Sequence, residues 1–174
     1  MDSVTVLAQQ LGDRLTALKA QIAVAESCTG GGVAEAITRI AGSSAWFEAA
    51  CITYSNAQKV KLLGVSSQLL IERGAVSAAV AVAMAQGIQH RAVARFAVAT
   101  TGIAGPTGAL PDLPVGSVWI AWVLDDQSYV RLFCFEGDRQ AVRQQAVEAA
   151  LEGIIALCDA LPPSGSQRFL GEMV

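Results

Sequence analysis

The chain has 174 residues, 53% of them apolar and 16% charged, a composition far from that of disordered segments and sufficient for one domain with its own buried core. A net charge of -3 and a pI near 5.1, with no Lys/Arg-rich stretch, leave no positive field for duplex nucleic acid, and no nucleic-acid partner is expected. The longest apolar runs, such as AAVAVAMA at 78–85, are too short to span a bilayer, and MDSVTVLAQQLGDRL at the amino terminus lacks the features of an export signal. No membrane association and a cytoplasmic location are therefore expected.

Val4, Leu7, Ala8, Leu11, Leu15 and Leu18 recur at helical spacing over residues 4–19, which predicts an opening amphipathic helix. QIAVAES follows as the first strand, and after a pair of glycines a second helix runs to about Ile40. WFEAACITYS, rich in β-branched and aromatic residues, holds the second strand, and AQKVKLLG is a short helix stopped by Gly64. Ser66 and Ser77 stand where N-caps are wanted, ahead of SQLLIERG and the alanine-rich AAVAVAMAQGIQHRA, and RFAVATTG is the next strand. GIAGPTGALPDLPVG, 102–116, is too rich in glycine and proline for a regular element and reads as a long loop. SVWIAWVLDD and SYVRLFCFEG form a hairpin that turns across Asp125, Asp126 and Gln127, and a long helix from Asp138, its expected N-cap, closes the fold. Residues 1–162 thus read as one domain and 163–174 as a C-terminal tail. The order of elements predicts an α/β fold, a three-layer α/β/α sandwich around a mixed β-sheet.

In open α/β sheets ligands bind beyond the carboxyl ends of the strands, which here are followed by ESCTGG, SNAQK and TGIAGPTG. The first sets the Ser27 hydroxyl at a helix amino terminus, where free N–H groups suit a phosphate or a developing oxyanion; a capped turn without chemistry accounts for the spacing equally well. Gly32 and Val33 stand where a Walker A loop needs Lys and Ser/Thr, and Ala25 stands where G-x-S-x-G needs glycine. With His90 as the only histidine, at the end of a predicted helix, a Ser/His/Asp triad and a His-rich zinc site are both disfavoured.

A base for Ser27 must then come from Lys19, Lys59 or Lys61, of which Lys59 lies just past a strand end. Desolvation can lower a lysine toward neutrality, whereas the pattern alone favours a solvated helix residue. Cys28 is a competing nucleophile at a helix amino terminus, without a histidine to activate it. Cys28, Cys51, Cys134 and Cys158 show no C-x-x-C pair and read as reduced, buried thiols. TGIAGPTG at 101–108 can present backbone N–H groups to a phosphate or a carboxamide, or serve as a structural Ω-loop. Arg139 and Arg143, spaced i, i+4, can grip a phosphate or line a solvated helix face.

Together AESCTGG, ITYSNAQK, GAVS, TGIAGPTG followed by PVGSV, and FEGDRQAVR resemble, in order and spacing, the CinA C-terminal domain family, the nicotinamide-nucleotide amidases of the PncC type. The resemblance covers residues from about 5 to 160. It implies hydrolysis of nicotinamide mononucleotide to nicotinate mononucleotide and ammonia, with Ser27 as nucleophile, Lys59 as its base and Tyr54 as an auxiliary hydrogen-bonding residue. Backbone N–H groups between Cys28 and Gly31 are expected to hold the oxyanion. Thr29, Gly30, Gly31, Thr101, Gly102, Gly105 and Arg143 are the expected substrate-binding residues, the ribose phosphate facing the 101–108 loop or Arg143. Glu26 either bonds the ribose or ties down the turn. Leu113 stands where many relatives carry lysine. No metal and no cofactor are implied, the expected partner is a small nucleotide, and apolar faces on the first and last helices favour a homo-oligomer. The competing class is a non-catalytic nucleotide- or partner-binding module on the same fold.

Overall fold

In the computed structural model, which describes residues 1–171, the opening helix α1 (Ser3–Leu18) starts at Asp2, whose carboxylate accepts from the Thr5 N–H at 2.9 Å. It buries the stripe Val4, Ala8, Leu11 and Leu15. Strand β1 (Ile22–Glu26) is buried along its whole length, as a central parallel strand covered on both faces must be. Helix α2 (Gly32–Thr38), a short 3-10 turn and strand β2 (Phe47–Ile52) follow. Helix α3 (Asn56–Leu63) is capped by Ser55 and closed by Gly64. Ser66 caps α4 (Ser67–Arg73) and Ser77 caps α5 (Ala78–Ala92), each hydroxyl accepting a main-chain N–H three residues on. Strand β3 (Phe96–Gly102) leads through the long loop into β4 (Ser117–Leu124), β5 (Gln127–Cys134) and the closing helix α6 (Arg139–Cys158), with Asp138 at its N-cap.

The sheet runs β2-β1-β3-β4-β5 and ends on an edge strand β6 (Gln167–Arg168). β2, β1 and β3 are parallel, in the register Glu26↔Ile52 and Glu26↔Thr100, and the rest pair antiparallel. Alternate side chains divide the core in two. Ile22 and Val24 face α1, α2 and α6, whereas Ala23 and Ala25 face α5, with α3 and α4 outside it. The expected three-layer sandwich with a mixed sheet is what forms.

Three readings of the sequence change. The hairpin turn is Asp125 and Asp126 alone, because Gln127 already pairs with Leu124. The segment read as a tail returns to the sheet, Gln167 and Arg168 pairing with Val130 and Tyr129; two residues are too few to show a strand period, and 172–174 lie outside the described residues. Of the four thiols expected to be buried, only Cys28 is; Cys51 and Cys158 are half-buried and Cys134, on the outer strand β5, is exposed. Among the described residues no helix is long and apolar enough to cross a membrane.

Candidate active site

The site forms where β2, β1 and β3 end side by side. Ser27 follows β1, its N–H donating to the Thr100 carbonyl at 3.0 Å, while Thr53 on the other side donates its N–H to the Glu26 carbonyl at 2.8 Å. The chain then turns through Gly30 and Gly31, with φ of 59° and 98°, a conformation that side chains disfavour. A Cβ on Gly30 would also approach the Arg143 guanidinium, and one on Gly31 the Ile52 side chain.

Glu26 holds this turn. Fully buried, its carboxylate accepts from the N–H groups of Gly31, Val33 and Ala34 at 3.0, 3.1 and 2.9 Å and from the Thr29 hydroxyl at 2.6 Å. It therefore occupies the donors and the positive dipole end of α2 and ties down the turn, one of the two roles expected of it. The Thr29 hydroxyl also pairs with that of Thr100 at 2.7 Å. Thr100 escaped the sequence reading, although a strand-end residue in register with Glu26 is a signal for it.

Lys59 overturns the expectation of a solvated helix residue: it is 1% exposed. The first turns of α3 carry it back under the end of β2, and its Nζ lies 3.2 Å from Ser27 Oγ, 2.8 Å from the Thr53 carbonyl and 3.4 Å from the Tyr54 carbonyl. Burial lowers its pKa below the ordinary lysine value. In its neutral form the amine would give its two N–H bonds to these carbonyls and keep its lone pair for the Ser27 hydroxyl. Cys28 is inward and buried, and burial pushes its thiol up to about 12, so the thiolate that nucleophilic attack requires is absent at neutral pH. His90 is exposed at the end of α5.

Tyr54 touches Lys59 only through its main-chain carbonyl; its side chain is 61% exposed and its phenol oxygen accepts from Arg139 at 2.9 Å. Another N–H of Arg139 reaches the Gly105 carbonyl at 2.8 Å, and Arg143 donates to the Thr29 carbonyl at 3.0 Å. The Thr101 hydroxyl is buried and donates to the Ala75 carbonyl at 2.8 Å, bracing the loop before α5. Gly102, the last residue of β3, lies against the Ser117 carbonyl with no room for a Cβ. The fold thus brings Ser27, Lys59, Thr29, Gly30, Gly31, Gly105 and Arg143 around one strand end, but directs the Thr29 and Thr101 hydroxyls inward.

Of the N–H groups at 28–31, that of Gly30 donates to the Ser27 carbonyl at 3.0 Å and that of Gly31 to Glu26. Those of Cys28 and Thr29 donate to no carbonyl or carboxylate among the described residues. A serine beside a desolvated lysine, next to open main-chain donors, is an arrangement suited to acyl transfer.

The family model for the CinA C-terminal domain matches residues 4–158, and the chain belongs to that family. It is 54% identical over 157 residues to the nicotinamide-nucleotide amidohydrolase PncC of Pseudomonas putida, covering 90% of this chain and 98% of that one. It is 49% identical to the protein of the same name from Escherichia coli K12, covering 84% and 89%. Among solved structures, the competence/damage inducible protein CihA of Agrobacterium tumefaciens superposes with a TM-score of 0.88 at 40% identity, covering 90% of this chain and 96% of that one.

Proposed function

We propose that this protein is a nicotinamide-nucleotide amidase, converting nicotinamide mononucleotide to nicotinate mononucleotide and ammonia through an acyl-enzyme on Ser27. The observation that carries the mechanism is the buried Lys59 amine 3.2 Å from Ser27 Oγ; the names of the relatives support the substrate. Neutral Lys59 takes the Ser27 proton as Oγ attacks the amide carbon. The oxyanion of the tetrahedral intermediate is held by the N–H groups of Cys28 and Thr29. The C–N bond then breaks, Lys59 returns the proton to the leaving nitrogen and ammonia departs. Water attacks the ester with Lys59 again as base, releasing the carboxylate and restoring Ser27.

The Tyr54 main-chain carbonyl helps to orient Lys59, and its phenol acts on the rim through Arg139. The ribose phosphate lies toward the start of α6, between Arg143 and the loop that carries Gly102 and Gly105. The enzyme acts in the cytoplasm, and as a homo-oligomer, the latter reading supported by the exposed apolar side chains of Ile52 and Ile71.

Purified protein incubated with nicotinamide mononucleotide should release ammonia and nicotinate mononucleotide in equal amounts. Ser27→Ala and Lys59→Ala should each lower kcat by about a thousandfold or more, with nucleotide binding retained in Ser27→Ala. Undiminished turnover in either variant would remove the dyad. Binding without turnover in the wild type would favour the nucleotide-binding module instead.

A further inference from the structure

Because β2, β1 and β3 lie side by side in that order, Ser27 sits between the segments that follow its two neighbours. Arg139 joins those two segments, bonding Tyr54 after β2 and Gly105 after β3. Its side chain therefore links the two segments that flank the carboxyl end of β1, the strand that Ser27 follows. Both acceptors are uncharged. Arg14, Arg39 and Arg95 each pair with a carboxylate, whereas Arg139 and Arg143 have none in ion-pairing range among the described residues. A guanidinium presents five donors, and the exposed Arg139 uses two of them on the protein. Its bonds to a phosphate would be charge-assisted and bidentate, stronger than those to a carbonyl and a phenol.

We infer that Arg139 is a specificity-determining residue: a strap across the Ser27 pocket that exchanges its bonds to Gly105 and Tyr54 for the phosphomonoester of the substrate. The phosphate then both draws the strap aside and selects a nucleotide over the corresponding nucleoside. A nucleoside lacks that anion, and its cationic pyridinium ring offers a guanidinium nothing to draw the strap aside. Arg143 keeps its bond to the Thr29 carbonyl and holds the turn beneath. This inference rests on the amidase reading for its substrate.

Two measurements on wild type, Arg139→Ala and Arg139→Lys test it: initial rates on nicotinamide mononucleotide and nicotinamide riboside, and the thermal unfolding midpoint with inorganic phosphate at fixed ionic strength. Arg139→Ala should raise KM for the mononucleotide by roughly tenfold to a hundredfold and reduce the preference for mononucleotide over riboside in kcat/KM by the same factor. Arg139→Lys should recover part of that preference. Phosphate should raise the midpoint of the wild type and not that of Arg139→Ala. Loss of kcat on both substrates with the preference intact would reduce Arg139 to a brace, and equal stabilisation of both forms by phosphate would place phosphate recognition elsewhere. If the wild type hydrolyses neither amide, the amidase reading falls while the phosphate arm still decides the strap.

Discussion

At the scale of single residues, the carboxylate of Glu26 has the largest number of dependants. Three main-chain N–H groups and one hydroxyl converge on its two oxygens, and among the described residues the turn that presents Ser27 has no other buried anchor of that kind. A carboxamide of the same shape would point an NH2 group at donors, so Glu26→Gln is expected to cost about 1–3 kcal/mol. It should also lower turnover, because the N–H groups of Cys28 and Thr29 lose their fixed aim; chemical denaturation and kcat measured together check this, and unchanged values in both would refute the anchoring role. The placing of Ser27 and Glu26 at one turn is legible in the sequence because their strand, turn and helix are contiguous, whereas the choice between two roles for Glu26 is not. The burial of Lys59 is not, since its helix carries Lys61 two positions on and has the polarity of a solvated segment; only the packing of α3 under the end of β2 makes a lysine there an interior group. Tyr54 was legible as a position but not in its contacts, its carbonyl and phenol facing different partners.

At the scale of elements, caps and periodicity carry most of the fold. Asp2, Ser55, Ser66, Ser77 and Asp138 each accept a main-chain N–H at a helix start, and these local chemistries can be read without knowing what the helix packs against. Where one element lies on another is nonlocal, and Gly87 shows what that hides. In an alanine-rich helix it reads as a mild defect, yet a Cβ there would collide with the Leu63 carbonyl oxygen, so its absence lets α5 take the last turn of α3 directly against its backbone. The same helix α3 carries Lys59. Gly87→Ala must displace α3 or bend α5, with an expected cost of about 1–3 kcal/mol, or roughly 2–12 °C in the unfolding midpoint for a chain of this size. Turnover should fall further than the loss of folded protein explains, because the shift is delivered to Lys59, the proposed base. Circular dichroism melts beside rates measured well below the midpoint separate the two effects; a lower midpoint with an unchanged rate would show that Lys59 is seated independently of the α3–α5 contact.

At the scale of the whole molecule, the groups that the fold withdraws from water set how stability responds to alkali. An unfolded thiol ionises near its ordinary value of 9.0, whereas the folded chain holds Cys28 protonated to about 12. In that window the native state binds the extra proton, so stability falls as pH rises, by about 1.4 kcal/mol per pH unit for one fully shifted group. Half-buried Cys158, pushed up to about 11 by burial, acts in the same direction and more weakly because solvent screens it. Lys59 acts oppositely. Its folded pKa lies below the ordinary lysine value of 10.5, so the unfolded chain carries the extra proton in the interval between them and stability rises with pH until 10.5 is passed. The wild type should therefore lose stability gently from pH 9 and more steeply once the lysine contribution is exhausted. Cys28→Ala isolates the thiol: at pH 8 it should be less stable by about 1 kcal/mol through lost packing, and the gap should narrow and then reverse as pH approaches 11, because the variant has no thiol at that position to ionise on unfolding. Denaturant midpoints at half-unit intervals from pH 8 to 11 decide it. Parallel curves would mean that the Cys28 thiol ionises as readily in the folded chain as in the unfolded one, and with that result the case for Cys28 as an inert neighbour of Ser27 would fail.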